Sequence, residues 1–120
     1  MPFQSEIKRG DVLRVRLDPI VGSEQAGERP ALVLSPDFHN RYSRLILVAA
    51  ITSQKTDKLY PFEALIEPPD GGLIVRSKVM MTHLRSIDKT RILSRYGAIS
   101  FETMARVETA LKLATGLTIV

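Results

Sequence analysis

The spacing of apolar and polar residues changes period once along this chain, near residue 100, and divides it into a strand-bearing body and a helical end. DVLRVRL (11–17) alternates every second residue, with Val15 and Leu17 on one face and Arg14 and Arg16 on the other, as a half-buried strand does. Asp18-Pro19 ends it, because proline cannot donate to a ladder and aspartate favours turns. The polar loop GSEQAGE (22–28) then runs into Arg29, and Pro30 opens PALVLS (30–35), a short unbroken apolar run that fits a buried strand. Pro36 closes that run, and DFHNRYS (37–43) reads as a polar connection.

RLILVAAITS (44–53), rich in branched residues and bounded by polar clusters, predicts the strongest strand. YPFEALIE (60–67) alternates again, placing Phe62, Ala64 and Ile66 on one face, and PPDGG (68–72) is a turn. LIVRSKVMMTHLRSID (73–88) predicts one long or two short strands, with helix also open, and RILSRYGAI (91–99) predicts a further strand. From Ser100, a suitable N-cap, the period becomes helical. Phe101, Met104, Val107, Leu111 and Ala114 recur along one face until Gly116 stops the run. Short strands followed by one amphipathic helix predict a mainly β fold with a C-terminal helix, a small barrel or curled sheet with the helix packed on it. No linker, repeat or low-complexity stretch interrupts it, so residues 1–120 read as a single domain.

Composition narrows the chemistry. The chain has 120 residues and no cysteine, so disulfides and thiolate zinc sites are excluded. Its longest apolar run, LILVAAI (45–51), is too short to span a bilayer, and MPFQSEIKRGD lacks the apolar region of a signal peptide. A soluble cytoplasmic protein, away from membranes, is the expectation. Lys and Arg outnumber Asp and Glu by 17 to 13, a net charge of +4 that favours a polyanionic partner through its field.

Only two histidines occur, His39 and His83, and neither sits in a metal-binding motif; GxxxxGK[ST], GxGxxG and GxSxG are all missing. A protein without metal or cofactor is expected. Arginine, threonine, serine, glutamate, glutamine and one histidine near strand ends can still cleave RNA. The substrate's own 2′-OH can attack its phosphate, and the protein must position it, move two protons and neutralise the phosphorane. Arginine suits the last task, being planar, permanently charged and matched to phosphate. A hydroxyl such as that of Thr52 can add a hydrogen bond.

Five segments together resemble the MazF/PemK family of toxin ribonucleases: GDVLRVRLDP (10–19), GSEQAGERPALVLSP (22–36), ITSQ (51–54), YPFE (60–63) and LRSIDKTRI (84–92). The similarity runs in order from about residue 8 to residue 116. The resemblance implies an SH3-like curled barrel of the MazF/CcdB toxin type, a homodimer, and sequence-specific, metal-independent cleavage of single-stranded RNA, mRNA included. It implies products ending in a 2′,3′-cyclic phosphate and a 5′-OH, and a cognate acidic, MazE-like antitoxin. The family's catalytic arginine falls on Arg29 and its catalytic threonine on Thr52. Glu24 and Gln25 share the glycine-rich segment as contributors to substrate binding or to loop architecture, and Glu24 is a candidate for the base, which stays unassigned. Some relatives use an arginine–aspartate pair further along; here Arg76 is followed by Ser77.

Ser53 and Gln54 can bind a base or phosphate, or cap the strand end. His83 falls where some relatives use a glutamine to read RNA, and is otherwise a half-buried strand residue. Arg85 belongs with Asp88, Lys89 and Arg91 to a segment that is either a phosphate patch or a set of ion pairs holding the sheet. Met80, Met81 and the helical stripe are core or dimer contacts. The rival function is a non-catalytic, CcdB-like toxin that binds gyrase, and a barrel that only binds RNA or a partner is a third.

Overall fold

The structure, a computed structural model, describes residues 5–17 and 27–117. Among the described residues six antiparallel strands form one sheet: β1 (Asp11–Arg16), β2 (Glu28–Val33), β3 (Leu45–Thr52), β4 (Glu63–Ile66), β5 (Ser77–Asp88) and β6 (Ile92–Ala98), in the order β4-β5-β3-β2-β1-β6. Helix α1 (Asp37–Tyr42) joins β2 to β3, and α2 (Phe101–Thr115) follows β6. The mainly β architecture with a C-terminal helix is the one the sequence predicts.

Both faces of the central strands are buried along much of their length, which explains the apolar run of β3 beyond Leu47, while Leu45 and Leu47 at its start are exposed. Val12, Leu32, Ala49 and Ile51 join a core that includes Val107 and Ala110 of α2. Leu13, Val15, Ala31, Val33, Ile46 and Val48 face the other way, against Ile7, Ile87 and Ile92. Each of the valines, leucines and isoleucines among them, fully removed from water, contributes about 1.5–3 kcal/mol.

Two devices curl the sheet. Between Ala49, paired with Leu84, and Ile51, paired with Val79, β5 carries extra residues, and a bulge of this kind bends the strand. Beyond β4, the 3-10 turn Asp70–Gly72 presses backbone to backbone against β6. Gly72 has φ +73°, and a Cβ there would lie 1.9 Å from the Tyr96 carbonyl oxygen; one on Gly97 would lie 2.9 Å from the Gly71 carbonyl carbon. The turn after one edge strand thus meets the other edge strand, and only glycine permits the approach.

Asp70 fastens this turn to α2: its Oδ1 accepts from the Ser100 amide at 2.7 Å. Ser100 caps α2 by accepting from the Thr103 amide at 3.1 Å, and Gly116 ends the helix at φ 76°, both at their expected places. The buried face of the helix differs by one position from expectation. Thr103, Val107 and Ala110 are buried and Met104, Leu111 and Ala114 half-buried, whereas Phe101, expected in the stripe, is 86% exposed. It occupies the first helical position, and the buried spacing starts two residues later.

Three further differences are local. DFHNRYS (37–43) is mostly helix rather than a loop: Pro36 is its N-cap residue, and buried Asn40 donates to the Ser35 carbonyl at 2.8 Å. β2 starts at Glu28, before Pro30, because Glu28 and Arg29 pair with Arg16 and Val15 of β1. Residues 73–76 are not strand; β5 is one long strand beginning at Ser77.

Candidate active site

The β2–β3 ladder runs from Val33–Val48 to Ala31–Ala50. Two residues further along the same register, β2 carries Arg29 and β3 carries Thr52. Both line one cavity of about 550 Å³, together with Ser53 and Gln54. Residues 23 positions apart in sequence therefore meet because antiparallel strand ends lie side by side. The opposite wall is Leu73, Ile74, Val75 and Tyr96, set there by the glycine contact that closes the sheet. Ile74, 92% exposed, gives the rim an apolar edge.

Electrostatics at the lip are decided by Glu28. Its carboxylate pairs with Arg14 and, at 3.5 Å, with Arg16. Among the described residues Arg29 forms no ion pair, so a guanidinium stands at the cavity with its donors uncommitted. The Thr52 hydroxyl accepts from the Gln54 amide at 3.1 Å. That turn uses one lone pair and leaves the hydroxyl hydrogen to donate.

A second hollow, of about 340 Å³, adjoins the first at Thr52 and Gln54 and is lined by Lys55, Lys58, Tyr60, Glu63, Lys78 and Met80. Its lysines and aromatic ring escape a motif reading, although YPFE (60–63) and a lysine inside an apolar strand are visible signals.

The other candidates lie apart. His83 is exposed on β5 and Arg85 is half-buried opposite Val48, and neither lines either hollow. Asp88 accepts from the Thr90 amide and hydroxyl, both at 2.9 Å, and pairs with Arg44 at 3.3 Å. These bonds, the Thr90 amide first, hold its carboxyl below the ordinary range. Arg76 pairs with Glu67 at 3.1 Å, and Ser77 donates to the Val75 carbonyl at 2.9 Å. Glu24 and Gln25 lie outside the described residues, as do Asp18, Pro19 and Gly22. Among the described residues no three of His, Cys, Asp and Glu are grouped to hold a metal, and no helix is long and apolar enough to cross a membrane.

Known proteins resemble this chain over most of its length. Endoribonuclease EndoA of Bacillus subtilis is 38% identical over 111 residues, 92% of this chain and 96% of its own. The crystal structure of MazF (Form-I) from Deinococcus radiodurans superposes with a TM-score of 0.75 at 30% identity, covering 94% of this chain and 99% of that one. A MazE–MazF crystal structure (Form-II) from the same organism gives a TM-score of 0.77 at 29% identity, over 96% and 100%. The model of the PemK-like, MazF-like toxins of type II toxin–antitoxin systems matches residues 8–115, and the chain belongs to that family.

Proposed function

We propose that this toxin is a metal-independent endoribonuclease whose centre is Arg29 and Thr52. The observation that carries the reading is their convergence on one cavity, with Arg29 unpaired there among the described residues. A single-stranded RNA laid through the cavity presents its scissile phosphate to both. The 2′-oxygen attacks phosphorus as its proton passes to a base, for which Glu24 is the candidate. The P–O5′ bond breaks, and the leaving 5′-oxygen takes up a proton. The products are a 2′,3′-cyclic phosphate and a 5′-OH.

Arg29 neutralises charge on the non-bridging oxygens as the phosphorane forms, a role worth most in a partly enclosed site. Thr52 donates its hydroxyl hydrogen to one of the same oxygens, held in place by the Gln54 amide. Ser53 and Gln54, at the same rim, are the nearest substrate contacts. Arg85 and His83 lie outside both hollows, which leaves them only contacts with flanking RNA.

The net charge of +4 suits both RNA and an acidic antitoxin, and the MazE–MazF relative supports a cognate antitoxin as partner. A cytoplasmic homodimer is part of the same reading.

Incubating the protein with a long unstructured RNA in excess EDTA, beside Arg29→Ala, tests it. Discrete cuts with 5′-OH ends that survive EDTA and vanish in the variant are expected. Cutting by Arg29→Ala at the wild-type rate overturns the assignment. Gyrase inhibition without RNA cutting turns the reading toward a CcdB-like toxin.

A further inference from the structure

The second hollow contains a group that the cleavage chemistry does not use. Lys78 sits within β5 with its side chain only 5% exposed and pairs at 2.9 Å with Glu63, whose side chain is 7% exposed. Its ammonium also donates to the Lys58 carbonyl at 2.9 Å, and the same Glu63 oxygen accepts from the Tyr60 amide at 3.0 Å. One buried ion pair thereby ties down two points of the connection between β3 and β4. Burying two charges is costly unless geometry and hydrogen bonds compensate, and here each charge is spent on holding backbone.

The segment so held presents an aromatic ring. Tyr60 stacks on Phe62, with ring centres 5.5 Å apart and planes 2° from parallel, yet Tyr60 remains 44% exposed. The amines of Lys58 and Lys78 lie 5.5 and 5.8 Å from the Tyr60 ring centre. An exposed ring backed by a second ring, flanked by cations, is the donor set that holds an unpaired base and its phosphate. The hollow meets the Arg29 cavity at Thr52 and Gln54, so a strand crossing one enters the other.

We infer that this hollow seats one nucleotide flanking the scissile bond, its base stacked on Tyr60 and its phosphate beside Lys55 and Lys58. Lys78 is a positioning residue that acts through the loop. The inference rests on the ribonuclease reading above and adds to it the place where one neighbouring base is held.

The test uses the full chain and RNA oligonucleotides bearing its mapped cleavage sequence, with a 2′-deoxy sugar at the cut and 2-aminopurine at one flanking position at a time. Stacking quenches 2-aminopurine. Wild type is expected to quench it at one flanking position, Tyr60→Phe to retain the quench, and Tyr60→Ala to lose it with roughly 5- to 100-fold weaker binding. Lys78→Met, where it folds, is expected to lose the same quench while still cutting RNA with relaxed preference at that position. A wild type that cuts RNA but shows no quench, or a quench that survives Tyr60→Ala, overturns the subsite alone. A wild type that neither cuts nor binds overturns the ribonuclease reading and the subsite with it.

Discussion

The two ends of β3 carry similar residues to opposite effect. At its start, Arg44 and Asp88 gather with Thr90; at its end, Arg29 and Glu28 of β2 stand beside Thr52 and Ser53. The difference lies in what each carboxylate holds. Asp88 is occupied by the Thr90 amide and hydroxyl and by Arg44, bonds that fasten a turn to a strand. Glu28 is occupied by Arg14 and Arg16, and this leaves the adjacent Arg29 uncommitted among the described residues. An arginine count cannot tell a brace from a site; the accounting of partners does.

Substituting Arg29 and, for contrast, Arg85 opposite Val48 should separate site from scaffold most visibly. Arg29→Ala is expected to cost about 100- to 1,000-fold in kcat, the scale seen when one donor to a developing oxyanion is removed. Its unfolding free energy should stay within about 0.5 kcal/mol of wild type, because the half-buried Arg29 side chain has no structural partner among the described residues. Arg85→Ala should leave kcat unchanged and lower the salt slope of binding by about 1, the loss of one contact with flanking RNA. Single-turnover cleavage with both variants over a salt series decides it; equal losses in kcat would erase the distinction.

Gly72 tests whether the cavity end depends on backbone geometry rather than on its polar residues. Gly72→Ala places a Cβ 1.9 Å from the Tyr96 carbonyl oxygen at a φ of +73°. Strain and overpacking together should cost roughly 3 kcal/mol or more in denaturant unfolding. Activity should fall in the folded fraction as well, because Leu73, Ile74 and Tyr96 form the opposite wall. A variant of wild-type stability would mean the sheet closes by other contacts.

These contrasts also mark what was legible in the sequence. Alternation places most of the strands, and the family resemblance singles out Arg29 and Thr52; the register that sets GERP beside ITSQ enters only with the sheet order. Residues 73–76 look like strand by content, but the contact that lifts them off the sheet joins residues 72 and 96 and has no local signal. The same holds for Lys78 and Glu63, whose pairing depends on β4 lying beside the first half of β5. Helix α1 was hidden because its one buried polar residue, Asn40, is satisfied by Ser35 just before the helix rather than by an apolar stripe. Phe101 shows the converse error: a residue that continues a period need not share its burial at a helix end.

Thr52 offers a finer cut within the site. Thr52→Val keeps the branched shape and strand preference of the residue while removing the hydroxyl that accepts from the Gln54 amide. Losing one hydrogen bond to a charged oxygen should lower kcat roughly 10- to 100-fold, less than the loss of Arg29. Thr52→Ser should recover most of that loss. Failure of serine to rescue would point to the methyl group, and so to packing.

The smallest effect belongs to the bracing end. The Asp88 carboxyl is held below the ordinary range first by the Thr90 amide, then by its hydroxyl, with Arg44 adding to both. A depressed carboxyl stabilises the fold fully above the unfolded-state value of about 3.9 and loses that contribution as pH falls through the lowered one. Asp88→Asn keeps an acceptor for Thr90 but never carries the charge. The variant should therefore melt slightly below wild type at neutral pH, and the gap should close as the pH is lowered below that of unfolded aspartate. Because the group is solvent-facing, added salt should narrow whatever part of the gap Arg44 supplies. A gap that persists unchanged in acid would assign the role of Asp88 to shape rather than charge, and cleavage of RNA should be the same in both proteins at every pH where both are folded.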